Sequence, residues 1–245
     1  MNSLAEVLSS QGRYKEAESF SRQALEQMRK RSKEGNPYVL DCMATLGQVL
    51  GTQGKYEEAG EILRQTMQVR ANVLGKDHPD TLRSMSELAD VLNGKGEALE
   101  AEGLCRQALE MMKNAIGEEH PRRLSSLSVL AAVLSSQGKY QEAEGMLRRT
   151  VELREKVLGK EHPKTLSSLR NLATVLKSQG KREDAVALME TCYQLQDNSS
   201  FLQEPVLVDY NPAAAAYVFN GTDVRVKSMA SKEGLLENEK LAFHG

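Results

Sequence analysis

The chain has no tryptophan, and only four phenylalanines and seven tyrosines among 245 residues. It therefore has few flat rings on which nucleic-acid bases could stack. Cysteine is equally scarce. Cys42, Cys105 and Cys192 are odd in number, far apart and never in C-x-x-C spacing, which argues against a disulfide framework or a zinc site and fits reduced thiols. Nowhere do the roughly 18 consecutive apolar residues of a membrane-spanning helix occur. The opening MNSLAEVLSSQGRYKEAE lacks the basic and apolar regions of a secretory signal, so a soluble, cytoplasmic chain with no membrane partner is expected. Neither sign of charge dominates. A formal net charge of -2 supplies no long-range attraction to nucleic acid or anionic lipid. With 40% hydrophobic and 27% charged residues, the chain can bury a sizeable core behind a polar surface.

What the sequence does have is repetition. VLGKDHPDTL at 73–82 returns as VLGKEHPKTL at 157–166, with a looser AIGEEHPRRL at 115–124 between them. Pro37, Pro79, Pro121 and Pro163 lie 42 residues apart, as do Gly12, Gly54, Gly96, Gly138 and Gly180. Aligned on these markers, Leu4, Leu46, Leu88, Leu130 and Leu172 share one column, followed by Ala5, Gly47, Ala89, Ala131 and Ala173. Ala17, Ala59, Ala101, Ala143 and Ala185 form a third column. The chain is an array of five units.

Within a unit the apolar spacing is helical. Leu124, Leu127, Leu130, Ala131 and Leu134 recur every three or four residues, which predicts one buried face on a helix from about Pro121 to Ser136. Gly138 ends it with a left-handed cap. A second helix then carries Tyr140, Ala143, Met146, Leu147, Val151, Val157 and Leu158 until Gly159 stops it. Pro163 opens the next unit at a first-turn position, where a missing N–H costs nothing. The recurring phrase is thus a connector: helix end, turn, helix start. Periods of about 40–47 also suit other helical arrays and propeller blades, but the long Leu/Ala/Glu/Lys runs do not fit a blade's strands.

The pattern L-A-x-V-L-x-x-Q-G-K-Y-x-E-A-E, clearest from Leu130 to Glu144, resembles the tetratricopeptide repeat. The 42-residue period, the H-P start and the LGKEHP connector resemble that family's kinesin-light-chain class. Near-verbatim repetition also resembles the C-terminal sensor arrays of fungal and bacterial NTPase receptors. The resemblance implies an all-α, right-handed superhelical solenoid of about five helix-turn-helix repeats over residues 1–196, the first one truncated. Residues 197–245 lose the Leu/Ala columns, and Pro212 interrupts a would-be helix, so a largely irregular tail is expected there. Leu4, Val7 and Leu8 are expected to leave apolar surface uncovered at the start of the array, open to self-association or to further units.

Candidate chemistry is thin. His78, His120 and His162 recur one per unit, on the order of 20 Å apart for stacked helix pairs with axes about 8–10 Å apart, so they cannot share a metal and read as turn formers. Cys105 and Cys192 fall in packing columns and read as core thiols. GKDHPDT and GKEHPKT have no upstream glycine or strand and are not phosphate loops. Runs such as Glu152–Lys156, with Arg148 and Arg154 among the second-helix cations, read as a solvated convex face. No enzyme, cofactor or metal site is expected.

A solenoid offers surface instead. The family's groove positions, carried over, fall on Arg83, Ser86, Glu87, Asp90 and Asn93 in the third unit, and on Ser125, Ser128, Val129, Ala132 and Ser135 in the fourth. In the fifth they fall on Ser167, Arg170, Asn171, Thr174 and Lys177. Of the asparagines that kinesin light chains place before the Leu-Ala pair, Asn171 matches while Thr45, Glu87 and Val129 do not. Glu87 and Asp90 predict an acidic third unit, Val129 and Ala132 a shallow neutral fourth, Arg170 and Lys177 a basic fifth. The expected partner is a protein or extended peptide. The alternative is a structural spacer or oligomerising arm without a ligand, which would be expected to have interchangeable groove columns.

Overall fold

The computed structural model describes residues 2–33 and 35–201. They form ten helices: α1 (Asn2–Ser10), α2 (Tyr14–Arg31), α3 (Pro37–Thr52), α4 (Tyr56–Leu74), α5 (Pro79–Lys95), α6 (Ala98–Ile116), α7 (Pro121–Ser136), α8 (Tyr140–Leu158), α9 (Pro163–Ser178) and α10 (Arg182–Phe201). Among the described residues there is no strand. The helices make five helix-turn-helix pairs in tandem, a solenoid. Residues beyond 201, where the irregular tail is expected, lie outside those described, and α10 itself runs past residue 196.

The connector explains where first helices begin. His78, His120 and His162 are N-caps whose Nδ1 accepts the N–H of Asp80, Arg122 and Lys164 at 3.2, 3.2 and 3.1 Å. Asn36 does the same for Tyr38 at 2.9 Å. Each cap satisfies one of the donors a helix start leaves unpaired, and the proline after it lacks an N–H where none is needed. Thr81 and Thr165 tie the connector by donating to the carbonyls of Gly75 and Gly159, both at 2.8 Å. In the looser copy Arg123 replaces the threonine and donates to the Glu118 carbonyl at 3.3 Å.

The turn inside each pair is closed by glycine. At Gly138, φ is +77°, a conformation a side chain disfavours. The Gly138 N–H then bonds the Ser135 carbonyl at 3.0 Å and the Lys139 N–H the Leu134 carbonyl at 2.9 Å, the paired bonds of a Schellman cap. The next unit is latched to this turn: Gln53, Gln137 and Gln179 donate to the carbonyls of Tyr14, Ala98 and Tyr140, each at 3.0 Å.

The Leu and Ala columns make one continuous core from Ala24 to Ala185. Small residues let the helix axes approach, and large ones fill the space between. Leu8, expected to be uncovered, is instead buried against Ala17 and Val49; Leu4 and Val7 remain exposed. Leu8 lies where α1 packs on α2 and α3; Val7 turns away from them, and Leu4, one turn before Leu8 on the same stripe, lies in the first turn of α1, beyond that cover.

The stacking is asymmetric. The backbones of α1 and α3, α3 and α5, α5 and α7, and α7 and α9 touch across units, whereas those of α2, α4, α6 and α8 do not touch one another. The latter meet through long side chains such as Arg22–Glu58 and Arg106–Glu142. First helices are therefore packed closely on the inner side and second helices fan outward, which makes a concave face of α3, α5, α7 and α9.

Candidate protein-binding groove

A cavity of about 750 Å³ opens on that inner face. Gln48 and Thr52 of α3 and Tyr56 of α4 form one wall, Arg83, Glu87 and Asp90 of α5 the centre, and Arg122, Ser125 and Val129 of α7 the other wall, with Lys164 at the start of α9. Gly94 lets the Tyr56 ring pack against α5, because a Cβ there would stand 2.5 Å from it. A second cavity lies at the turn edge between the last two units. Its Gln179 and Lys181 are already spent on latching Tyr140 and Glu144.

Of the positions expected to line the groove, Arg83, Glu87, Asp90 and Val129 share the first cavity. Ala132, Arg170, Asn171, Thr174 and Lys177 sit further along α7 and α9, outside that cavity; all are exposed except the half-buried Asn171. Thr174 Oγ1 donates to the Arg170 carbonyl at 3.0 Å.

The third unit is less acidic than its own residues suggest. Asp41 of α3 holds both Arg70 Nη2 at 2.5 Å and Arg83 Nη2 at 2.9 Å. Asp80 holds Arg122 at 3.0 Å. Glu87 accepts from Gln48 at 2.9 Å, with Arg83 Nε at 3.5 Å and Arg70 at 3.9 Å. Three guanidiniums thus interleave with three carboxylates from neighbouring helices. Burial still pushes the Glu87 carboxyl up, against the pull of Arg83 and Arg70. Asp90 is open to solvent along one side, yet the surrounding walls strip enough water to raise its carboxyl as well. No hydrogen bond or ion pair from a described residue reaches Asp90.

Arg154 corrects an expectation. Read as part of a solvated convex face, it is instead 5% exposed, as is Leu153. Its guanidinium points inward, with Nη1 donating to the Lys164 carbonyl at 2.8 Å and to Ser168 Oγ. Nη2 reaches Ser125 Oγ at 3.3 Å. Sequence reasoning missed Arg70 and Arg154 together. The signal was present: Met28, Arg70, Met112 and Arg154 share one column, and an arginine alternating with a buried methionine is a cation in a core position.

The cysteines are core thiols. Cys105 is fully buried, which pushes its thiol up to about 12, and burial raises Cys192 too. Among the described residues no cluster of three metal-ligating side chains occurs, and no helix is long and apolar enough to cross a membrane.

The tetratricopeptide repeat profile matches residues 1–66, 44–104, 85–156 and 124–198. A solved point variant of a candidate kinesin light chain from Podospora anserina, with nearly identical TPR-like repeats, is 30% identical over 82% of this chain and 94% of its own, with a TM-score of 0.59. The chain is a tetratricopeptide-repeat protein of the kinesin-light-chain class. Tetratricopeptide repeats are protein-interaction modules. The same fold, at 14% identity, occurs in a Rap protein solved with Competence and Sporulation Factor (TM-score 0.67; 79% of this chain, 53% of that one). It also occurs, again at 14% identity, in Bacillus thuringiensis PlcR solved with the peptide PapR7 and DNA (TM-score 0.61; 83% and 73%). Comparison with curated proteins finds no match.

Proposed function

We propose that this tetratricopeptide array is a non-enzymatic binding module that holds an extended polypeptide along the inner face of α3, α5, α7 and α9. The observation that carries the reading is the cavity shared by Arg83, Glu87, Asp90 and Val129. It combines an apolar side chain that can seat a partner's anchor with charged groups that can set its register. Rap and PlcR, solved with a bound factor and a bound peptide, support the same use of the fold. So does the variation of the groove columns from unit to unit, since a spacer has no reason to vary them while keeping its framework columns constant.

The test is a library of short random peptides probed with the parent chain and with Val129→Glu. The parent should retain a set of peptides that share an apolar anchor, and the variant should lose that set while melting at the parent's temperature. Retention of the same peptides by both proteins would move the binding surface elsewhere. Exposed Leu4 and Val7 on α1 favour self-association as a second reading, which sedimentation of the parent against a Leu4→Glu, Val7→Glu variant decides.

A further inference from the structure

Arg70 and Arg154 occupy the same place two units apart and sit in the same cradle. Arg70 Nη1 donates to Ser84 Oγ at 2.7 Å and contacts the Asp80 carbonyl at 3.4 Å; Arg154 Nη1 donates to Ser168 Oγ and to the Lys164 carbonyl. Both side chains are buried, at 2% and 5% exposure. Their counter-charges differ completely. Around Arg70 stand Asp41, Asp80 and Glu87. The residues 84 positions later, around Arg154, are Ser125, Lys164 and Asn171. All three carboxylates are gone, and one of them has become a cation.

A buried guanidinium does not shed its proton to escape this cost, and an uncompensated buried charge is expensive. Burial lowers Arg154 with no acidic neighbour to offset it, whereas Glu87, Asp41 and Asp80 offset it at Arg70. Arg154 Nε has no hydrogen-bond partner at all. Nε and Nη2 lie along one edge of the guanidinium, the edge that takes a carboxylate with two parallel bonds. Nε is enclosed by the chain itself, and Nη2 makes only the long 3.3 Å contact to Ser125.

The Nη2 end of that edge lies beside the groove, since the Ser125 it contacts lines the cavity. Asp41, bonded to the equivalent edge of Arg70, is 45% exposed, so the position it fills is reached from solvent. Ser125 and Lys164 line the cavity. We infer that Arg154, with Ser125 and Lys164, is a carboxylate-binding subsite of the groove, where an acidic side chain or C-terminus of the bound polypeptide supplies what Asp41 supplies to Arg70. The inference rests on the groove reading above and adds the chemistry of one partner residue. A carboxylate is favoured over phosphate because the array itself fills the equivalent cradle with one. Lys164 adds a second cation beside the incoming group.

The experiment follows the arginine Nε–H resonances of the intact ¹⁵N-labelled chain, assigned with Arg154→Met and Arg70→Met. Methionine already occupies this column at 28 and 112, so both variants should fold. The probes are acetyl-tetraalanine with a free C-terminus, an acetylated and amidated Ala-Ala-Glu-Ala-Ala, an acetylated and amidated pentaalanine, and inorganic phosphate. Expected is a saturable shift of the Arg154 signal with at least one carboxylate peptide, none with the neutral peptide, and an unmoved Arg70 signal. Which carboxylate peptide acts separates side chain from C-terminus. Ser125→Asp, which installs the internal carboxylate, should raise the melting temperature and weaken that response at least tenfold. Silence of Arg154 with both carboxylate peptides, a response to phosphate alone, or an unweakened response in Ser125→Asp overturns the subsite. If Arg154 is silent while the peptide library still depends on Val129, the groove stands and the subsite falls. If Arg154 responds while no library peptide depends on Val129, the groove reading fails by itself.

Discussion

Lys139 Nζ lies 2.8 Å from Glu102 Oε2, which clasps the turn of the fourth unit to the second helix of the third. Lys55–Glu18 at 2.7 Å and Lys181–Glu144 at 2.8 Å repeat the clasp. Between the second and third units the same positions hold Gly60 and Glu97, and Glu97 pairs instead with Lys95 at 2.9 Å. The clasp thus joins three of the four seams.

These clasps make stability depend on acid. Hydrogen bonds from Lys55, Lys139 and Lys181 are the largest influence holding Glu18, Glu102 and Glu144 at about 2, against an ordinary 4.5. A depressed carboxyl stabilises fully above its ordinary value, and that contribution fades as pH falls toward the folded value. The lysines are about half exposed, so solvent screening limits each clasp to about 1 kcal/mol or less. Thermal melts from about pH 6 to about pH 2 should show the parent losing stability across the acid range. A triple Glu→Gln variant at the three positions should start lower and fall less.

Asp90 predicts the opposite sign. Its carboxyl is raised by lost hydration, so its charge opposes folding above its folded value and the opposition disappears on protonation. Asp90→Asn should melt slightly higher than the parent at neutral pH, with the difference vanishing as acid neutralises the parent's carboxyl. A lower melting temperature at neutral pH would mean that Asp90 is paired in solution.

The histidine caps act on folding. His120→Ala removes the acceptor for the Arg122 N–H and should cost about 1 kcal/mol. His120→Asn should recover most of it, because Asn36 makes the same bond two connectors earlier. Chemical denaturation reports the loss, while peptide binding at equal folded fraction should not change.

The basic end of the groove should control encounter more than anchoring. Reversing both Arg170 and Lys177, exposed on α9, should slow association and flatten its dependence on salt, with a smaller effect on dissociation. Surface plasmon resonance of a library-selected peptide at two salt concentrations separates the two rates. Equal association rates for parent and variant would exclude a steering role.

Much of the fold could be read along the chain. Pro121 to Ser136 and Tyr140 to Leu158 are helices with the bounds that leucine spacing, Gly138 and Gly159 set, because helix periodicity and caps are local. The candidate groove was only partly legible. Arg83, Glu87, Asp90 and Val129 fall on one cavity because helix faces repeat with the unit, but Asp41, Asp80 and Arg122 were missed, because their pairing crosses three first helices. Arg154 was misplaced for a related reason. Its neighbours Glu152 and Lys156 are solvent-facing, and a charge run looks uniformly wet until the 3.6-residue period turns one member inward.

The helix pairs, their turns and the repeating core follow from the linear order of residues, since each depends on contacts within a unit or with a similar neighbour. Which charges neutralise one another depends on how the helices pack. A carboxylate and a guanidinium 29 residues apart, such as Asp41 and Arg70, meet because two helices pack. Whether a buried arginine finds its counter-charge inside the chain, as Arg70 does, or not, as at Arg154, depends on which residues that packing brings within a few ångströms.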